Sequence, residues 1–137
     1  MNIREVMTRD VKIAAPGDTL QHAAQMMKDI DAGVLPVGEN DRLVGILTDR
    51  DITIRAVALG KAPGTCHVRD VMSSDIKYVY EDESIEDAAR NMGELQIRRL
   101  PVLSRDKRVV GIVSLGDVAL KKKDSAGDAL KDVSRHT

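Results

Sequence analysis

The chain has 137 residues, of which 42% are apolar and 31% charged, a composition typical of a globular protein with a sizeable core. With no Phe, no Trp and two Tyr, that core must be aliphatic, and there is no aromatic platform for single-stranded nucleic acid. The formal net charge of -1, with Lys and Arg dispersed along the chain, argues against nucleic acid or an anionic membrane as a partner.

The first half of the chain predicts, in order, a strand, a helix, two strands and a helix. A short extended piece precedes a helix whose N-cap is Asp18 or Thr19 and whose apolar residues share one face. The run Val34–Val37 is too short for a helix, and its proline favours an edge or strand-start position. A turn leads to a strand over Leu43–Leu47, and a second helix follows over about residues 50–59. The apolar face of the first helix consists of Leu20, Ala23, Ala24, Met27 and Ile30.

The second half repeats this order of elements. An offset of 65 positions superposes Leu35-Pro36-Val37 on Leu100-Pro101-Val102 and Val6-Met7 on Val71-Met72, and an offset of 66 superposes Gly45 on Gly111. Only two copies are present, so we expect two similar half-domains about a pseudo-twofold axis rather than a solenoid. The second copy predicts a helix over 85–95 capped by Ser84, a strand over 109–113 and a helix over 117–122.

The repeat defines four segments of the chain. The first copy covers residues 1–60, a linker covers 61–66, the second copy covers 67–122, and a polar tail covers 123–137. Each copy has the order β-α-β-β-α, so the predicted fold class is α/β, or α+β in the broader sense.

One motif occurs in both copies where a strand runs into a helix. It contains a hydroxyl residue followed three positions later by an aspartate, as Thr48 and Asp51 and again as Ser114 and Asp117. The first amides of a helix can hold phosphate, and a carboxylate can accept two sugar hydroxyls, so the motif is suited to a nucleotide. The same spacing also forms a capping box that satisfies the helix start, and the two roles are compatible.

The ordered set of repeated motifs resembles the cystathionine-beta-synthase (CBS) domain, here as the tandem pair called a Bateman module. The resemblance covers about residues 3–122, and by layout the chain is similar to small stand-alone bacterial proteins with two CBS domains. It implies paired sheets with helices outside and clefts between the repeats. It also implies binding of AMP, ADP, ATP or S-adenosylmethionine in those clefts, and assembly into a homodimeric disc.

The resemblance also implies roles for individual residues. Asp51 and Asp117 would accept the ribose hydroxyls, and Thr48 and Ser114 would contact phosphate or ribose oxygens. The basic residues near each cleft would set the affinity for phosphate, although a solvated or salt-bridged surface role explains Arg98 and Arg99 equally well. Stacking of Tyr78 or Tyr80 on adenine is a further alternative to a half-buried strand face. The resemblance implies that residues at and beside the two Leu-Pro-Val runs wall the adenine, joined by backbone groups near Ile13 and Tyr78. The remaining binding residues implied are Val34, Leu35, Pro36, Arg50, Leu100 and Pro101.

Three classes of function remain open from the sequence. The favoured one is a non-enzymatic sensor whose ligand shifts the geometry of a homodimer that an unknown protein effector recognises. A ligand-free dimeric scaffold is the alternative, and an enzyme ranks lowest because no nucleophile, base or metal cluster accompanies the motif. We expect cytoplasmic location, because no signal peptide or membrane-spanning run is present and Cys66 is the single cysteine. The apolar residues expected to support the dimer are Ile52, Ile54, Val57 and Leu59.

Overall fold

The computed structural model describes residues 1–95 and 98–119. Its elements are the helices α1 (Leu20–Ile30), α2 (Asp49–Arg55), α3 (Val68–Val71) and α4 (Ile85–Leu95), and the strands β1 (Val34–Glu39), β2 (Arg42–Thr48), β3 (Val79–Tyr80), β4 (Arg99–Leu103) and β5 (Val109–Ser114). Single 3-10 turns occur at Ile3–Glu5 and Val57–Leu59, and residues 115–119 are helical. The predicted tail over 123–137 lies outside the described residues.

The chain folds into two compact units, each with an aliphatic core. The first-repeat unit contains Lys12–Ile76 with Lys107–Val109, and the second-repeat unit contains Met1–Val11, Lys77–Asp106 and the described residues from Val110 on. Small sheets with packed helices in both units confirm the predicted α+β fold class. The pseudo-twofold axis and the segment boundaries drawn from the repeat stay predictions. Leu20, Leu35, Val37, Leu47 and Val68 lie in the first core, and Ile3, Val79, Ile85, Met92 and Val113 in the second.

The proline strand of the second-repeat unit lies inside its sheet, so the prediction of an edge or strand-start position is wrong there, whereas β1 belongs to a two-stranded sheet. β1 pairs antiparallel with β2, and on its other side Ala14 forms a parallel bridge with Val37. In the second-repeat unit β4 lies between β3 and β5. Pro36 has no N–H to donate, but its carbonyl accepts the Ala14 N–H at 3.0 Å, so the strand keeps a neighbour on that side.

The first helix of each repeat matches its prediction. Thr19, not Asp18, caps α1 by accepting the His22 N–H at 3.1 Å, and Ser84 accepts the Asp87 N–H at 3.1 Å at the start of α4. The second helix of the first repeat is shorter than predicted. It stops at Arg55 because Ala56 leaves helical geometry, with φ -123° and ψ -64°, and buries its side chain in the core.

The two Val-Met segments dock onto the other repeat's glycine-containing strand. Thr8 exchanges backbone hydrogen bonds of 2.8 and 2.9 Å with Ile112, and Ser73 exchanges two of 2.9 Å with Ile46. The methionine beside each bridge packs against Gly111 or Gly45. Each unit therefore contains a short segment that the sequence places in the opposite repeat.

This packing predicts that Gly45→Ala destabilises the protein. An added Cβ would lie 2.7 Å from the Met72 sulfur and 3.0 Å from the Ser73 carbonyl oxygen. Overpacking of this kind costs about 1–3 kcal/mol, measurable as a lower denaturant midpoint. Gly93→Ala is the control: nothing lies within 4 Å of its Cβ position in α4, so it should stabilise by roughly 0.5–1 kcal/mol. Equal effects of the two substitutions would contradict the packing argument.

Candidate functional site

Each repeat forms a complete capping box at the strand-helix junction. In the first-repeat unit the Thr48 hydroxyl accepts the Asp51 N–H at 3.0 Å, and Asp51 Oδ2 accepts the Thr48 N–H at 3.0 Å. In the second-repeat unit the Ser114 hydroxyl accepts the Asp117 N–H at 3.0 Å, and Asp117 Oδ2 accepts the Ser114 N–H at 3.4 Å. The structure therefore brings each predicted hydroxyl and carboxylate together, in the arrangement that the capping alternative requires.

The first amides of α2 are all engaged within the protein. The Asp49 N–H donates to the Gly33 carbonyl at 2.9 Å, the Arg50 N–H donates to Asp49 Oδ1 at 2.8 Å, and the Asp51 N–H donates to Thr48. These donors already have acceptors within the protein, so a phosphate bound by them would have to replace those acceptors, and that role stays a prediction.

The Asp51 carboxylate is held in one orientation. Its side chain is 17% exposed, and its Oδ1 atom lies 3.9 Å from Arg55 Nε. Arg55 in turn donates to the Val71 carbonyl at 3.3 Å. A carboxylate oxygen has two acceptor positions, so a carboxylate fixed in this way can still accept a hydroxyl from a ligand. Arg55 was not among the residues predicted from sequence.

The predicted base-binding wall is divided between exposed and buried side chains. Val34 pairs with Thr48 in the β1–β2 register and is half-buried, whereas the side chains of Leu35 and Pro36 are buried. Ile13 is 38% exposed and lies beside Gly38, about 13 Å along β1 from Val34 at the usual rise per residue. Leu35 and Pro36 therefore contribute their side chains to the core, and the role of this run in binding adenine stays a prediction.

The second-repeat unit divides its wall in the same way. Leu100 is 2% exposed and Pro101 is buried, so both serve the core. Tyr78 stands where Ile13 stands in the first unit and is 39% exposed. Arg98 and Arg99 are exposed, and the Arg98 carbonyl accepts the Leu115 N–H at 2.7 Å, matching the bond from Asp49 to Gly33.

Tyr80 is occupied by protein contacts, which leaves Tyr78 as the aromatic side chain available for stacking. The two rings meet edge to face, with centroids 5.5 Å apart, and Arg105 lies 4.1 Å over the centre of the Tyr80 ring. A hydrogen bond with Tyr78 raises the pKa of Tyr80. Arg105 also binds Asp82 with Nε–O distances of 2.9 and 3.0 Å. Sequence reasoning missed this cluster, because Asp82 and Arg105 lie in separate loops.

Sequence reasoning also missed the contact between Gly33 and Asp49. The Asp49 carboxylate lies against Gly33, where an added Cβ would be 2.5 Å from Oδ2. The signal available in the sequence was the difference between the two copies, since position 49 is Asp in the first and the equivalent position 115 is Leu in the second.

Across residues 1–95 and 98–119, no three His, Cys, Asp or Glu side chains are grouped to hold a metal ion. No helix in this part of the chain is long and apolar enough to cross a bilayer.

The CBS domain family matches two segments of the chain, residues 3–57 and 68–124. The chain belongs to the CBS-domain family. Among its relatives, the CBS domain-containing protein YhcV of Bacillus subtilis is 41% identical over 135 residues, which is 97% of this chain and 95% of YhcV. Hypoxic response protein 1 of Mycobacterium tuberculosis is 42% identical over 117 residues, which is 85% of this chain and 81% of that protein.

Two solved structures extend the comparison with this CBS pair. Hypoxic Response Protein I, solved with two coordinated zinc ions, has a TM-score of 0.79 at 40% identity, covering 88% of this chain and 98% of that one. The CBS domain pair of protein MJ0100, solved with 5'-methylthioadenosine and S-adenosyl-L-methionine, has a TM-score of 0.77 at 25% identity, covering 88% and 98%. The predicted family and its tandem arrangement are thus confirmed.

The capping role of Thr48 can be measured apart from any ligand. Thr48→Ala leaves the Asp51 N–H without its acceptor, so we expect a loss of about 1 kcal/mol in the free energy of unfolding. Thr48→Ser keeps the hydroxyl and should retain most of that stability. Chemical denaturation of the three proteins measures the difference, and equal midpoints for the Ala and Ser variants would rule out the capping contribution.

The Arg105–Asp82 pair predicts an acid-dependent part of the stability of the CBS pair. Arg105 lowers the pKa of Asp82 below its ordinary value of 3.8, so the pair stabilises the folded state above that pH. Its contribution is lost as the pH falls through the lowered pKa. Asp82→Asn should therefore lower the melting temperature at neutral pH and have little effect near pH 2.

Thermal unfolding followed by circular dichroism at both pH values measures this effect. Asp10→Asn, which removes an exposed carboxylate elsewhere in the same unit, is the matched control. If Asp82→Asn lowers the melting temperature by the same amount at both pH values, the assignment of the effect to an ion pair is wrong.

Proposed function

We propose that this CBS pair is a non-enzymatic regulatory module that binds an adenosine-containing ligand, namely AMP, ADP, ATP or S-adenosylmethionine. The observation that supports it most is the fixed Asp51 carboxylate beside Thr48 and Val34, with the same motif at Ser114 and Asp117. The carboxylate would accept the ribose hydroxyls, and the exposed Ile13 or Tyr78 would contact the base. The adenosine-type ligands of the MJ0100 pair support the same class.

Each site lies next to a segment that can pass on its state. Ser114 is two residues from Ile112, which carries the bridge to Thr8, and Thr48 is two residues from Ile46, which carries the bridge to Ser73. A ligand that orders the end of β5 would stabilise the bridge between Ile112 and Thr8, and one that orders the end of β2 would stabilise the bridge between Ile46 and Ser73. Coupling of this kind is usually worth about 1–3 kcal/mol, enough to bias an equilibrium that a protein effector recognises.

A homodimer is the expected assembly in which this bias would act. Ile54, Val57 and Leu59 are 46%, 59% and 67% exposed, and they follow one another along α2 and the turn after it. Side chains of this type in one stretch favour an interface over solvent. The same surface is also what the alternative function, a ligand-free dimeric scaffold, would use.

Isothermal titration with AMP, ATP and S-adenosylmethionine tests the proposal. We expect saturable binding by the unmodified chain and a loss of about ten-fold or more in affinity for the altered site in Asp51→Asn and Asp117→Asn, because one charge-assisted hydrogen-bond acceptor is removed. The asparagine oxygen can still accept the capping N–H, so the fold should survive. Asp41→Asn, at the opposite end of the β1–β2 hairpin, is the control.

The outcomes separate the candidate functions. Binding without turnover supports the sensor, and turnover of the nucleotide would indicate an enzyme. The proposal fails if no ligand binds, and if sedimentation then finds an intact dimer, the scaffold function replaces it.

A further inference from the structure

The two sites differ at one pair of positions in contact. The first helical residue donates its N–H to a loop carbonyl in both units, from Asp49 to Gly33 at 2.9 Å and from Leu115 to Arg98 at 2.7 Å. The backbone arrangement is thus the same in both units. The side chains differ, because the first-repeat unit pairs Asp49 with Gly33 and the second-repeat unit pairs Leu115 with Arg98.

Asp49 and a side chain at position 33 exclude each other. A Cβ on Gly33 would lie 2.5 Å from Asp49 Oδ2 and 2.8 Å from its carboxylate carbon. The other oxygen, Oδ1, accepts the Arg50 N–H at 2.8 Å, which holds the carboxylate in place. The glycine therefore makes room for a negative charge directly beside Thr48, at the end of the site where a phosphate would lie.

The charges around the two sites differ accordingly. Near Thr48, Asp49 and Asp51 are opposed by Arg50 and Arg55, and Arg55 already lies 3.9 Å from Asp51 Oδ1. In the second-repeat unit the Leu115 N–H donates to the Arg98 carbonyl, which brings the backbone of the exposed Arg98 and Arg99 to the junction that carries Asp117, and position 115 has no charge. The second site is therefore the one suited to a phosphate, since exposed like charges repel and opposite charges attract at this range.

We propose that the two sites take adenosine ligands of different charge, with Asp49 as the residue that determines the difference. The Ser114–Asp117 site takes a nucleotide with a 5'-phosphate. The Thr48–Asp51 site takes an adenosine derivative that is neutral or positive at the 5' position. This inference rests on the proposed function, because it assigns ligands to the sites defined there.

The experiment compares adenosine with AMP on proteins that keep one site. Asp51→Asn leaves the Ser114–Asp117 site, which should bind AMP about ten-fold more tightly than adenosine. Asp117→Asn leaves the Thr48–Asp51 site, which should bind adenosine at least as tightly as AMP. Adding Asp49→Asn to Asp117→Asn should raise the AMP affinity about five-fold without changing the adenosine affinity, and high salt should reduce that gain.

Two further variants sharpen the assignment. The Asp49→Asn variant keeps a side-chain oxygen that can accept the Arg50 N–H, so it removes only the charge. The control, Asp41→Asn, removes one negative charge at the far end of the β1–β2 hairpin and should change neither the AMP affinity nor the adenosine affinity. The reciprocal exchange, Arg98→Gly with Leu115→Asp in the Asp51→Asn protein, should reduce its preference for AMP to that of the first site.

The possible results distinguish this inference from the function on which it rests. Absence of binding by both adenosine and AMP to the unmodified chain would refute the proposed function. Binding of both ligands, with the same preference at both single-site proteins or with no effect of Asp49→Asn on AMP, would overturn only the assignment of charge.

Discussion

One backbone hydrogen bond in each unit determines how the candidate site is built. It joins the first residue of a helix to the loop before the proline strand, from Asp49 to Gly33 and from Leu115 to Arg98. The bond holds the helix start against the beginning of the neighbouring strand, so the capping aspartate and the strand residue Val34 stay together. The capping box then fixes the carboxylate itself. A binding geometry that is present before the ligand arrives reduces the entropy that binding must overcome.

The sequence predicted most of the fold because its signals were local. The bounds of α1 and α4 follow from an apolar face with a Thr or Ser cap, and the structure has both helices where the pattern placed them. The twofold repetition of ordered motifs predicted the family, which the family match confirmed. The hydroxyl and carboxylate of each site were also predictable, since their spacing of three residues is set by one helical turn.

What the sequence could not supply were contacts between residues far apart in the chain. Leu35 and Leu100 stand in the motif that resembles the family's binding strand, but the pattern of apolar residues does not say which side chains face the core. The proline that suggested an edge strand kept its carbonyl available for Ala14. The fit of Asp49 against Gly33 and the bond between Arg105 and Asp82 depend on how loops meet, for which no periodicity gives a signal.

The docking of Met7 against Gly111 has a consequence for how the chain folds. These residues are separated by most of the sequence, and contacts between such distant residues form late because closing a long loop costs entropy. During synthesis, residues 2–8 leave the ribosome well before strand β5 exists, so they must wait for it while the first-repeat unit assembles. A chain cut within the linker would also deprive Gly45 of the segment that covers it. Each unit is therefore completed only when a segment of the other repeat has been synthesised.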